Sequence, residues 1–210
     1  MPQPPDRDAS DTSTSDTSTS DTSTSDTSTS DTSTSDPDDS ISPSQAVGRV
    51  AHMLGTDGEG GLPSGDRAAL RRIDPDTPVT PTLWKVLLDL DQGEAPDWIS
   101  QEKWERRWAT LLMGMAHCAG LHDYDVPLGQ ALAEAGWAET RFVRLLESDG
   151  ESLPVLLRRM AQYLASKQQP ANWDDVRALL FYQSGDTGED VRLQIARPYY
   201  RTLHAQEQGD

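Results

Sequence analysis

The stretch Ser100-Gln101-Glu102-Lys103-Trp104-Glu105-Arg106-Arg107-Trp108-Ala109-Thr110-Leu111-Leu112-Met113-Gly114-Met115-Ala116-His117-Cys118-Ala119 sets the fold class. Its apolar residues Trp104, Trp108, Leu111, Leu112, Met115 and Ala119 recur at the period of a helix with one buried face. Ser100 is placed to cap its start. Lys103, Arg106 and Arg107 fall off the apolar stripe and share another face. The same period continues on both sides. Toward the N-terminus, Ser44 can cap a helix running to Leu54, and Ser64 can open a short one that Asp74-Pro75 ends. Thr80 caps and Pro81 starts a third, which carries Leu83, Trp84, Val86, Leu87, Leu88 and Leu90. Being apolar almost all round, that helix is expected at the centre.

Toward the C-terminus the pattern predicts helices over 127–135, stopped by Gly136, and over 138–147, with Phe142, Leu145 and Leu146 inward. Ser152 caps a helix from about Leu153, and Asn172 caps another bearing Trp173, Val176, Leu179 and Leu180. A last helix runs over 188–204, with a kink expected at Pro198. No segment alternates as a strand does. The expected fold is all-α, about nine helices in two small bundles, residues 41–120 and 121–210, divided by a loop over 120–126.

Ahead of them lies a different kind of sequence. Asp-Thr-Ser-Thr-Ser repeats five times over residues 11–35, and no aromatic residue occurs between Pro2 and Ser40. Such a segment cannot offset its ordering entropy by burial, so residues 1–40 are expected to be a disordered acidic tail. Of the chain's net charge of −17, this tail supplies ten acids and one arginine; residues 41–210 hold 25 acids and 17 bases. A folded part that is acidic overall argues against indiscriminate nucleic-acid binding. It still permits a local basic groove, because only charges within a Debye length of about 8 Å act strongly. Fourteen of those 17 bases are arginine, the side chain suited to two-pronged phosphate contacts.

The single cysteine, Cys118, excludes an intramolecular disulfide and sits in an apolar helical pattern. No apolar run has the length of a membrane span and no signal-peptide pattern opens the chain, so a soluble, cytoplasmic protein without a membrane partner is expected. His117, Cys118, His122, Asp123 and Asp125 form the one cluster with ligand chemistry. Its spacing fits neither His-x-x-x-His on one helical face nor Cys-x-x-Cys, so structural roles are expected, with no metal and no cofactor. Cys118 in an apolar helix suits an inert thiol. Glu134, Glu139, Asp174 and Asp175 lie at helix ends, where Asp174 and Asp175 complement a helix dipole. No catalytic residue is read, and the chain is not expected to be an enzyme. A glycine-rich loop over 55–65 lacks the strand before it and the Gly-Lys-Ser/Thr after it that a phosphate loop needs.

What remains is a set of cations off the apolar stripes. Gly65-Asp66-Arg67-Ala68-Ala69-Leu70-Arg71-Arg72 places Arg67 and Arg71 four apart with Arg72 beside them, a plausible phosphate cradle or a surface helix paired with Asp66, Asp74 or Asp76. Lys103, Arg106 and Arg107, Arg141 with Arg144, Arg158 with Arg159, and Arg192 complete the candidate nucleic-acid-binding set.

The order of motifs resembles the CasB family, the small subunit of the type I-E CRISPR surveillance complex Cascade. The resemblance spans roughly residues 44–203. It rests on Gly-x-x-Ala-x-Leu-Arg-Arg at 65–72, Pro81-Thr82-Leu83-Trp84, Ala116-His117-Cys118-Ala119, Pro127-Leu128-Gly129-Gln130-Ala131-Leu132, Glu139-Thr140-Arg141-Phe142 with Leu145-Leu146, Leu156-Leu157-Arg158-Arg159 and Asn172-Trp173. It implies two copies stacked along the belly of Cascade, contacting the backbone and large subunits. There they would help to stabilise the guide RNA–target heteroduplex and the displaced non-target DNA strand. The family's phosphate-contacting positions fall on Arg72, Arg141, Arg158 and Arg159, with a further one around 103–107. Where the family has a basic pair after the Asn172 helix, this chain reads Gly185-Asp186-Thr187-Gly188-Glu189, and Arg192 is the nearest substitute. Glu147 likewise stands where the family can carry arginine. The rival reading is a helical protein–protein adaptor whose arginines pair with acids on a neighbour. A third, a hydrolase built on the His117–Asp125 region, requires a cluster that the spacing does not favour.

Overall fold

The computed structural model describes residues 41–74 and 80–209, and the expectations for the repeat tail and for Pro75 and Asp76 lie outside them. In chain order the described residues form α1 (Pro43–Gly55), α2 (Ser64–Arg71), α3 (Pro81–Asp89), α4 (Gln101–His117), α5 (Leu128–Glu134), α6 (Glu139–Glu147), α7 (Ser152–Lys167), α8 (Trp173–Phe181) and α9 (Gly185–Gly209). No strand occurs among them; an isolated bridge joins His122 to Ala171. The all-α fold with about nine helices is as expected.

The caps show why the helices start where they do. Ser42, not Ser44, opens α1: its hydroxyl accepts from Gln45 N while the Gln45 amide oxygen accepts from Ser42 N at 2.9 Å, a reciprocal capping box. Thr80 accepts from Leu83 N at 3.2 Å, with Pro81 first in α3, and Asn172 accepts from Asp174 N at 2.9 Å at the head of α8. Ser64 and Ser152 lie inside their helices instead of capping them. Ser152 turns its hydroxyl back to donate to Asp149 O at 2.9 Å. Gly136 closes the turn after α5 with φ +77°, a conformation that favours glycine. α9 begins at Gly185 and continues through Pro198.

The central helix is α4, not α3. Every α4 residue from Trp108 to Ala116 is buried, and α1, α2, α7 and α8 pack around it. α3 instead rides outside, with Leu83, Val86 and Leu87 inward and Leu88 68% exposed. Its apolar composition overstated its burial because one leucine faces water. One continuous core runs from Ala46 to Tyr199 through both halves of the folded chain.

Two glycines permit close approach. A Cβ on Gly114 of α4 would lie 2.7 Å from the Trp173 ring, so the outer edge of that indole packs directly against the helix backbone. A Cβ on Gly129 of α5 would lie 1.9 Å from Ile195 O and 3.0 Å from Tyr199 N, so α5 and α9 cross with their backbones in contact. Tyr199 anchors that crossing. Its ring stacks on Phe142 at 3.7 Å between centroids, and its hydroxyl donates to Trp137 O at 2.6 Å.

Candidate nucleic-acid interface

Helical phase predicts which arginines leave the core, and the structure divides those into inward-bonded and outward-facing sets. Arg67 turns back on the loop before α2. It donates to Leu62 O at 2.8 Å and Thr56 O at 2.6 Å and pairs with Asp57 at 2.8 Å, so it clamps that loop and is not free for a phosphate. Arg192 ties α9 to α6, donating to Leu146 O and Gln183 O at 2.7 Å each. Arg158 donates to Ile73 O just beyond α2, and its Nε is buried without a partner. Arg107 donates to Phe181 O at 2.8 Å at the end of α8, and burial draws its pKa down from the ordinary value. Arg71 gives only its Nε to Ala116 O, at 2.7 Å, and is otherwise exposed. These side chains neutralise the carbonyl ends of neighbouring helices, a favourable place for a cation.

Most of the outward set gathers in two grooves, and Arg107 lines the second while bonding inward. In the first, α6 contributes Arg141 and Arg144, and α7 contributes Arg159 and Gln162, over a floor of Trp137, Leu156 and Tyr163. The groove encloses about 480 Å³, and among the described residues no carboxylate lines it. Arg141 sits over the Trp137 ring at 5.5 Å, where the ring face steadies the guanidinium without consuming its donors. Among the described residues, neither Arg144 nor Arg159 has an ion-pair or hydrogen-bond partner. Adjacent in sequence, Arg158 and Arg159 thus leave α7 on opposite sides, one toward α2 and one toward α6.

The second groove begins at the N-terminal end of α4. Lys103, Arg106 and Arg107 face Glu151, which precedes α7, and Pro154 of α7 across a cavity of about 260 Å³. Lys103 is exposed and unpaired among the described residues, whereas Arg106 holds Glu102 at 3.0 Å, an exposed pair of small energetic weight. Lys103 and Arg107 also line a neighbouring cavity of about 340 Å³ that reaches Trp98 and Tyr182. Sequence reading passed over those two aromatics: Trp98 lies in a turn and Tyr182 just past α8, where no helical period flags a side chain. Arg72, at the end of α2, is exposed and unpaired among the described residues. The structure thus brings Arg141, Arg144 and Arg159 together and Lys103, Arg106 and Arg107 together. Arg71, Arg72 and Arg158 form a separate group at the ends of α2 and α4, and Arg192 is turned inward.

The histidine–cysteine region is structural in its contacts. His122 Nδ1 accepts from Trp173 N at 3.2 Å, and Asp123 accepts from Asp125 N at 2.9 Å in a local turn. Asp174 pairs with Arg177 at 2.6 Å, and Asp175 accepts from Leu128 N at 2.8 Å. Cys118 donates to Ala161 O, and burial pushes its thiol up to about 12. Among the described residues, no three His, Cys, Asp or Glu side chains gather as metal ligands.

Burial, with Arg71 and Arg158 close by, holds the pKa of His117 below its ordinary 6.5, and burial does the same to His122. Both histidines therefore fold neutral. Their stabilisation is complete above the unfolded pKa of 6.5 and is lost as pH falls through the lower folded values. Asp175, raised by burial, acts with the opposite sign. The melting temperature is expected to fall on acidification from neutral pH. In His117→Gln with His122→Gln it should fall less steeply, and thermal melts across a pH series measure the difference.

The fold defines the structural class: a small all-α protein with cation-lined grooves on its surface. The sequence profile described as CRISPR-associated protein Cse2 matches residues 66–200, and the chain belongs to that family. Solved structures share the fold. CasB from Thermus thermophilus is 22% identical, with 77% of this chain and 99% of that chain covered and a TM-score of 0.59. M. ruber CasB is 23% identical over 80% and 98% of the two chains, with a TM-score of 0.58. A chain of E. coli Cascade bound to a PAM-containing dsDNA target is 16% identical over 74% and 95%, with a TM-score of 0.53. No curated protein sequence matches the chain. The family expected from the order of motifs is the family found. No helix among the described residues is long and apolar enough to cross a membrane.

Proposed function

We propose that the protein is a non-catalytic small subunit of a type I-E Cascade complex. In this role it binds nucleic-acid backbone through its arginine-lined surface and stabilises the guide RNA–target heteroduplex and the displaced non-target DNA strand. The observation that carries the reading is the convergence of Arg141, Arg144 and Arg159 on one open groove, with no carboxylate in its lining among the described residues. Unpaired guanidiniums over an aromatic floor suit phosphates with bases alongside. Lys103 and Arg106 extend the cationic surface onto α4, and Arg71 and Arg72 onto α2. Membership of the Cse2 family supports assembly into Cascade, as does the fold shared with a chain of E. coli Cascade bound to dsDNA. The proposed protein partners are the Cascade backbone and large subunits and a second copy of this chain. The division into residues 41–120 and 121–210 belongs to the same reading, as two subdomains built around one continuous core.

The test is fluorescence anisotropy of a labelled single strand titrated with the full chain across a salt series. Binding should weaken with salt with a logarithmic slope of roughly 0.7 per phosphate contacted. Reconstitution with the other Cascade subunits should incorporate the chain and lengthen the lifetime of the R-loop. Incorporation with no effect on R-loop lifetime and no salt-dependent strand binding would instead establish the adaptor reading, which the acidic balance of residues 41–210 favours.

A further inference from the structure

Beside the α4 cations lies a feature that phosphate binding alone does not use. Trp98 sits in the turn between α3 and α4 and is 56% exposed, although it is among the largest apolar side chains of the protein. Its ring is held in place. It stacks on Tyr182 at 6.1 Å between centroids and 18° between planes, and meets Trp104 edge-on at 6.3 Å. Trp104 is itself fixed, its indole donating to Gln92 O at 2.8 Å and its ring packed against Phe181. An indole braced in this way costs little further ordering entropy when something stacks on it. Tyr182 is also 38% exposed, so the pair forms a platform of two aromatic rings facing water.

The cavity at the foot of this platform, about 340 Å³, is lined by Lys103, Arg107, Ser100 and Gln183 and, among the described residues, by no carboxylate. It shares Lys103, Arg107 and Gln183 with the adjoining cavity, where Arg106 continues the cationic edge along α4 and Glu151 stands on the facing wall. A flat aromatic surface therefore leads directly into a cationic track. A protein hot spot needs the aromatic but not the track, whereas a phosphate site needs the track but not the aromatic. A nucleotide unit, with a base attached to an anionic backbone, uses both.

We infer that Trp98, braced by Tyr182, is a stacking site for one unpaired nucleobase of a single strand whose phosphates lie along Lys103 and Arg106. This inference rests on the nucleic-acid reading above and deepens it: a cation track alone would hold a duplex equally well, and a stacking platform selects unstacked, single-stranded nucleic acid. Stacking on an aromatic face tolerates every base, so no sequence preference follows from it.

The test uses the full chain, a labelled oligothymidylate and the same oligomer with abasic sites. Trp98→Ala should weaken oligothymidylate binding about 5- to 100-fold. The salt slope should stay unchanged, because no phosphate contact is lost, and Trp98→Phe should restore much of the affinity. The abasic oligomer should bind wild type and Trp98→Ala alike. Lys103→Glu should weaken both oligomers and lower the slope. Trp98 is exposed in a turn, so its removal leaves the core intact, and circular dichroism confirms folding. Unchanged affinity in Trp98→Ala, with Lys103→Glu still weakened, overturns the stacking site and leaves phosphate binding standing. Wild type that shows no salt-dependent binding overturns both. If Trp98→Ala binds the strand normally but assembles poorly with the other subunits, the platform is a protein contact, and the inference fails.

Discussion

Reversing Arg141, Arg144 and Arg159 together to glutamate is expected to weaken single-strand binding by about 100-fold at low salt. Each guanidinium facing a phosphate is worth about 1 kcal/mol even in the fully solvated limit, and three such losses amount to two decades in affinity. The logarithmic salt slope should fall by about 2, at roughly 0.7 per phosphate contact removed. Stability should hardly move, because all three side chains are exposed and, among the described residues, only Arg141 has a partner, the Trp137 ring. In the assembled complex the same variant should shorten the lifetime of the R-loop. An unchanged slope with unchanged R-loop lifetime would remove the α6–α7 groove from the nucleic-acid path. Reversing Arg158 is a poorer experiment: it breaks the bond to Ile73 O and leaves a carboxylate half-buried among carbonyls, confounding binding with folding.

The largest effect on stability is expected from Gly129→Ala. A methyl group there would stand 1.9 Å from Ile195 O, a backbone atom that no rotamer change can move. Relief requires α5 and α9 to separate, which loosens the Phe142–Tyr199 stack and the bond from Tyr199 to Trp137 O. Overpacking of this kind costs about 3 kcal/mol, and for a folded region of this size the melting temperature should drop by roughly 6–12 °C. Differential scanning calorimetry gives the answer directly. A drop of a degree or less would mean that the crossing yields more easily than its backbone contact implies.

Local chemistry explains which parts of the structure were legible in the sequence. Thr80-Pro81 and Asn172 announce helix starts because a cap is an interaction between residues two or three apart. The start of α1 was misplaced by two residues because Ser42 and Ser44 offer equivalent hydroxyls. Only the position of Gln45, three after Ser42, closes the reciprocal box. The periodicity of α4 showed its buried stripe but not that its opposite side is covered as well, since the covering helices α1, α7 and α8 come from distant parts of the chain.

The arginines make the same point more sharply. Helical phase excludes them from the core, and that much was readable. Whether an excluded arginine meets water or a carbonyl depends on what lies across the next groove. The acceptor for Arg158 is 85 residues away and that for Arg192 is 46 away. Arg144 and Arg159, with the same local signature, meet no such acceptor among the described residues. Trp98 had no signature at all, because a side chain in an irregular turn belongs to no period.

The buried thiol also has a practical consequence. Cys118 is the only cysteine in the chain, is 3% exposed and has a pKa pushed up to about 12. At neutral pH it is buried and carries almost no thiolate to react with maleimides or iodoacetamides. The natural protein therefore behaves as a cysteine-free background. A cysteine introduced at Gln162 or Gln183 would be the sole reactive position, and a dye or crosslinker placed there would report on one groove at a time in the unmodified fold.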